Sequence, residues 1–144
     1  MQITLVNEST FEEAVSAYTA SWQESHRDIC TPEFLRNRDY AGYLRNKMVD
    51  LYLLYDNLPV GIFSLAGENF GDLYIHPGYQ RRGYGSYCIA YAMTMRKRLR
   101  LTVLSSNFTA IRLYEKSGFR FTGNDRILKD DLLEREMVYI SEHL

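Results

Sequence analysis

Apolar positions along this chain recur with two periods. Gln2 to Val6 alternates, with Ile3 and Leu5 on one side, as a strand does. Phe11, Ala14, Val15, Tyr18 and Trp22 then fall at helical spacing behind Thr10-Phe11-Glu12-Glu13, which reads as a capping box. A second helix is expected from Thr31-Pro32, a cap residue followed by proline at the first helical position. It runs to about Met48 with a break near Asp39 or Gly42. Leu51–Tyr55 and Val60–Ala66 read as strands joined by the turn Asp56-Asn57-Leu58-Pro59, and Gly67 to Gly71 as a second turn into a strand around Leu73–Ile75. The stripe Tyr84, Tyr87, Cys88, Tyr91, Ala92, Met95 and Leu99 predicts a helix over 84–98. A strand at Leu101–Leu104 and a helix over 108–116 follow, the helix closed by Gly118 at a left-handed cap position. Phe119 and Phe121 begin another strand. Leu132–Ile140 is the last, with Leu133, Met137 and Tyr139 alternating against charged neighbours.

Short turns between the strands after the second helix predict an antiparallel meander, and the strand–helix–strand passage ending at Leu104 favours one parallel pair. With 144 residues, 46% of them hydrophobic, the chain can bury one real core, so a single domain over 1–144 is expected. A net charge of −1 supplies no global field for nucleic acid or an anionic membrane. Arg96-Lys97-Arg98 and Arg100 form a local basic cluster, but at the end of the predicted helix cations favour the dipole anyway. No nucleic-acid partner is therefore expected. The start lacks the pattern of a signal peptide, and no apolar run is long enough to span a bilayer. Cys30 and Cys88 have no metal-like or CxxC partner, and Cys88 sits on the apolar stripe as a buried thiol would. No histidine pair has metal-ligand spacing. The expectation is a soluble, reduced, cytoplasmic protein without a metal and without a membrane partner.

The stretch Leu73 to Ser86 carries the chemistry. A strand breaks at Pro77-Gly78, presents Gly83 and Gly85, and enters a helix. The first N–H groups of a helix lack intrahelical acceptors and sit at the positive end of its dipole, so this is an anion site. The lysine and hydroxyl of a Walker A loop are missing, and Cys88 stands where a dinucleotide fingerprint wants its third glycine. Gln80, Gly83 and Gly85 fit Q/R-x-x-G-x-G/A instead. Downstream, Asn107, Ala110, Leu113, Tyr114, Gly118 and Phe119 fit Asn-x-x-Ala…Leu-Tyr-x-x-x-Gly-Phe. In these two motifs, over roughly residues 49 to 140, the chain resembles the GNAT superfamily of N-acetyltransferases.

The resemblance implies an α+β fold resembling an α/β/α sandwich. Its sheet would be mixed but mainly antiparallel, of six to seven strands, with helices on both faces and a splayed central parallel pair. It implies that acetyl-CoA is the donor, its pyrophosphate held by the backbone from Arg81 to Ser86, through Gly83, Tyr84 and Gly85, after Gln80. Arg81 and Arg82 would either attract the phosphates or form an exposed basic turn. The strand edge at Tyr74 and Ile75 would pair with pantetheine. Asn107 would either cap its helix or bind that arm. Tyr114 is the implied general acid. A phenol near pKa 10 is protonated at neutral pH and can donate to a thiolate whose thiol has a pKa of about 8.5. Glu68, Asp72, Tyr74 and His76 are candidate bases, Glu68 and Asp72 foremost; Asp72, Tyr74 and His76 share one strand face, and His76 before Pro77 is no special evidence of a base. Trp22 reads as core or acceptor contact, and Glu24-Ser25-His26-Arg27-Asp28 as surface loop or acceptor lining. Transfer to a primary amine would be direct, in a monomer or homodimer. A non-catalytic acyl-CoA sensor is the alternative, because no base is assured.

Overall fold

The computed structural model describes residues 1–142. Among them the strands pair in the order β1-β2-β3-β4-β5-β8-β6, with β7 on β8. Residues 1–64 and 72–88 make one compact unit; residues 65–71 and 89–142 make another.

In the first unit, β1 (Gln2–Leu5) pairs antiparallel with β2 (Leu51–Tyr55), and β2 with β3 (Pro59–Ala66), Leu53 opposite Ile62. Leu5 is 52% exposed, so β1 does not bury the Ile3–Leu5 side that its alternation suggested; Val6, just beyond it, is buried instead. The apolar stripe of α1 (Phe11–Ser25) does go inward. Phe11, Ala14 and Tyr18 join Val6, Tyr40, Leu44, Leu51, Leu53 and Ile62 in one core, with Trp22, Tyr43 and Tyr74 at its margin.

The Thr10 capping box does not form. Asn7 takes the role locally: its side-chain oxygen accepts from the N–H groups of Ser9 and Thr10, while Thr10 Oγ1 accepts from Asn7 N. Such local bonds compete with capping for the same hydroxyl. The second helix is two: α2 (Pro32–Asn37), capped by Thr31 Oγ1 accepting from Phe34 N at 3.1 Å, and α3 (Tyr40–Arg45), capped by Asp39 Oδ1 accepting from Gly42 N at 2.9 Å. The chain breaks at Arg38, which is extended, and a single 3-10 turn over 48–50 leads into β2.

β4 (Asn69–Ile75) starts earlier than the sequence suggested, because the turn is only Gly67–Glu68. In the second unit Asn69 pairs in parallel with Arg100 of β5 (Arg98–Leu104). β8 (Leu133–Ile140) runs antiparallel along the whole of β5 and takes two short strands on its other side, β6 (Arg120–Phe121) and β7 (Arg126–Ile127). The short β7 raises the sheet to eight strands from the six or seven expected. The helix α4 (Tyr84–Met95) ends before Arg98, not at it. Leu99 belongs to the strand, where Leu99, Leu101 and Val103 are buried alternately. On α4 Ile89 is buried where Tyr87, 37% exposed, was expected.

This relocates the basic cluster. Arg98 and Arg100 are strand residues; Arg98 Nε lies 3.8 Å from Glu68, and Arg100 pairs with the buried Glu136. Arg96 Nε donates to the Gly67 carbonyl at 2.9 Å. Arg96 also donates from Nη1 to the carbonyl of Met95, the last residue of α4, at 3.0 Å and so meets the helix end as expected, whereas Arg98 and Arg100 lie in the sheet. The helix α5 (Phe108–Lys116) ends as expected, with Gly118 at φ 105° just past it.

Candidate functional site

Beyond β4 the chain makes a 3-10 turn at Pro77–Tyr79, closed by His76 Nδ1 accepting from Gly78 N at 3.0 Å. In a neutral ring that bond leaves the proton on Nε2. Gln80 is extended, Arg81 has φ 65° and Gly83 φ 85°, and α4 begins at Tyr84. The two left-handed residues fold the backbone back on itself ahead of the helix. The first helical bond runs from Tyr87 N to Gly83 O at 3.0 Å, so the N–H groups just before Tyr87 have no acceptor within α4. Arg81, Arg82, Gly83 and Ser86 are exposed, Tyr84 and Gly85 half-buried. A Cβ built on Gly83 would meet nothing within 4 Å, so space is open over this backbone. The Gln80 side chain turns back, Nε2 donating to the Ile75 carbonyl at 3.1 Å. The Tyr84 hydroxyl donates to Asp56 Oδ2 at 2.5 Å, and Arg82 lies 5.6 Å over the Tyr79 ring.

Along α1 and α3 the same unit gathers polar and aromatic groups against β4. Asp72 has φ 48°, which distorts the strand, and its side chain is only 10% exposed. It accepts from Tyr43 Oη at 2.8 Å, Lys47 Nζ at 2.9 Å and Ser64 Oγ at 2.9 Å. Tyr74 packs edge-on against Tyr18 at 5.1 Å, and Tyr18 stacks on Tyr43 at 5.5 Å. Arg38 donates to the Tyr18 hydroxyl at 2.9 Å and lies 4.1 Å over Trp22 and 4.8 Å over Tyr40. Trp22 therefore serves the core margin and holds Arg38. Its outer face stacks on His26 at 3.6 Å, while Glu24, Ser25, Arg27 and Asp28 are exposed. Burial pushes Tyr18 up to about 12 despite Arg38, and raises Tyr74 further. Burial opposes the charge on Lys47, but the bonds to Tyr43 and Asp72 outweigh it, so its pKa is raised.

Tyr74 and Asp72 thus face the α1–α3 side, as the alternation of β4 suggested. His76 joins that side too, lining a cavity of about 380 Å³ with Glu12, Glu13, Leu58, Pro59 and Tyr79. Arg38, Lys47, Ser64 and Asp56 were not singled out from sequence. The break expected near Asp39 or Gly42 fell close to Arg38 without marking it, and no sequence signal gave the others a place in a site.

In the second unit Tyr114 lies half-buried on α5, its ring 5.7 Å from that of Phe119. Asn107 caps α5, its Oδ1 accepting from Ala110 N at 3.2 Å. Glu68 stands at the Gly67–Glu68 turn with a 58% exposed side chain. A hollow of about 580 Å³ in this unit is lined by Arg120, Thr122 and Tyr139 and by none of the expected site residues. Among the described residues no three His, Cys, Asp or Glu side chains gather as a metal site would require, and no helix is long and apolar enough to cross a membrane.

The glycine turn at a helix N-terminus and the mixed sheet with one parallel pair are the fold that the sequence resemblance implied. Residues 7–119 match the model of the acetyltransferase (GNAT) family, and the chain belongs to that family. It is 35% identical over 74 residues to the peptidyl-lysine N-acetyltransferase YjaB of Salmonella typhimurium, and 34% identical over 74 residues to YjaB of Escherichia coli. The first match covers 51% of this chain and 50% of that protein, so the chain spans about half the length of the curated relatives it matches. The solution structure of apo YjaB from Escherichia coli superposes with a TM-score of 0.75 at 22% identity, covering 97% of each chain. The PaiA N-acetyltransferase of Thermoplasma acidophilum, in complex with coenzyme A, gives 0.76 at 17% identity, over 96% of this chain and 98% of that one.

Proposed function

We propose that this protein transfers an acetyl group from acetyl-CoA directly to a primary amine, with residues 1–144 acting as one acyltransferase domain in the cytoplasm, as a monomer or homodimer. The observation that carries this reading is the Gln80–Ser86 turn, with Arg81 and Gly83 at positive φ ahead of α4, in a chain of the acetyltransferase family. Backbone N–H groups of Gly83 to Ser86 hold the pyrophosphate, at about 1.5–3 kcal/mol for each charge-assisted bond. Arg81 and Arg82 add salt-dependent attraction, and the strand edge at Tyr74 and Ile75 meets pantetheine. The presence of coenzyme A in the PaiA complex supports this donor.

The amine nitrogen attacks the thioester carbonyl, the C–S bond breaks, and Tyr114 gives its proton to the departing thiolate. The amine's proton leaves to a base or to water. Of the two candidate bases, Asp72 has both oxygens engaged by donors, which weighs against it, and Glu68 is exposed. The name of the YjaB relatives supports a peptidyl lysine as acceptor. A lysine near pKa 10.4 pays about 4–5 kcal/mol for its neutral form at pH 7, whereas an α-amino group pays about 1 kcal/mol.

The engagement of Asp72 also favours a second reading, a non-catalytic acyl-CoA sensor. Both are tested by calorimetry with acetyl-CoA, followed by thiol release with lysine peptides, free amino acids and polyamines. Release with one acceptor class supports the enzyme, binding without release supports the sensor, and no binding overturns both.

A further inference from the structure

The geometry points to Asp56, in the turn between β2 and β3, as a positioning residue that braces the anion loop through Tyr84 and so sets its affinity for a diphosphate. This rests on the reading of that loop given above. Tyr84 stands between Gly83 and Gly85 and opens α4, so fixing its side chain fixes the first helical turn. Its hydroxyl meets Asp56 Oδ2 at 2.5 Å.

The anchor is itself rigid. Asp56 N donates to the Leu58 carbonyl at 3.0 Å, Asn57 turns with φ 67°, and Leu53 and Leu54 just before are fully buried. The loop is not rigid by composition, since two glycines flank Tyr84 and glycine has the most backbone freedom to lose. Ordering such a loop on binding costs affinity, and a brace made beforehand removes part of that cost. The hydrogen bond to Asp56 is also the main cause of a raised Tyr84 pKa, so the hydroxyl stays a donor.

The sign of the charge argues for a structural purpose. A carboxylate one tyrosine's length from an anion loop repels the ligand weakly across solvent. Only its acceptor oxygen helps. An asparagine would keep that oxygen and lose the repulsion.

Isothermal calorimetry with coenzyme A on wild type, Tyr84→Phe, Asp56→Ala and Asp56→Asn separates these effects. Tyr84→Phe and Asp56→Ala are expected to weaken Kd about tenfold, the low end for a hydrogen bond to a charged group. Asp56→Asn is expected to bind as wild type or slightly tighter. In turnover the loss is carried by KM for acetyl-CoA. With S-acetylpantetheine, which lacks the diphosphate, kcat/KM of Asp56→Ala and Asp56→Asn is expected to match wild type. Should Asp56→Ala fail to fold, Tyr84→Phe, which removes one oxygen from a half-buried side chain, decides alone. Wild-type affinity for coenzyme A in Tyr84→Phe, or an equal loss with S-acetylpantetheine in Asp56→Ala, overturns the brace while leaving the proposed function standing. No coenzyme A binding by wild type overturns both.

Discussion

Lys47 Nζ and Asp72 Oδ2 lie 2.9 Å apart, and the pair is lopsided: the lysine side chain keeps 41% of its exposure, the aspartate 10%. Removing the lysine therefore strands a buried carboxylate, whereas water already screens the cation.

Lys47→Met is expected to destabilise the fold by about 2 kcal/mol. That is below the roughly 3–5 kcal/mol for breaking a fully buried pair, because the lysine is part-exposed. Urea unfolding measures it; a change under about 0.5 kcal/mol would mean Tyr43 and Ser64 suffice. Asp72→Asn in the Lys47→Met background should recover part of the loss, since the stranded charge is gone.

Stability should fall at both pH extremes, for opposite reasons. Lys47 and Tyr43 have raised pKa values in the fold, and Tyr18 is pushed up to about 12. Each stabilises fully below its ordinary value and loses that contribution as pH climbs through the folded one, so the alkaline decline begins above about 10. Glu136 is held below the usual carboxylate range by its hydrogen bonds to Thr122 and Arg100. Its contribution is present above the ordinary carboxylate pKa and disappears as pH drops through the lowered one. Thermal melts from pH 3 to 11 should show a plateau between these limbs.

Burial pushes the Cys88 thiol up to about 12, and the side chain is fully buried. Native protein at pH 8 should give at most one equivalent with a disulfide reagent, at Cys30, and two after denaturation. Rapid modification of Cys88 in the native state would contradict this burial.

Tyr114→Phe keeps the ring against Phe119 and removes the hydroxyl. If the tyrosine protonates the leaving thiolate, kcat should fall about 10²- to 10⁴-fold with the Kd for coenzyme A unchanged. Undiminished turnover under conditions where chemistry limits the rate would remove the acid role.

The start of the second helix was legible because Thr31 and Pro32 are cap chemistry, which acts locally; its break was expected near Asp39 or Gly42, and the structure places it at Arg38, with Asp39 capping the next helix. The sequence also showed the glycine turn, whose backbone demands are written in residue type. Leu99 misled, since one apolar residue fits a helical stripe and an alternating strand equally well; pairing with β8 settles it as strand. Thr10 misled because Asn7 competed for the same hydroxyl. Asp72 is held by Tyr43 and Lys47, 29 and 25 positions away, and Arg38 bonds Tyr18, 20 positions back along the chain. No local pattern encodes those. Nor could motif reading foresee that Gln80 would turn its amide back onto Ile75.

Arg100 reaches Asn69 of β4 with Nη1 and Glu136 of β8 with Nε, from its own place on β5 between them. Three strands thus share one planar fork. Lysine carries its donors on one nitrogen at the end of a flexible stem and lacks the rigid fork that aims two of them at separate strands. Position 100 should accordingly tolerate less variation than the exposed Thr102 two residues along, even though neither lies in the glycine turn.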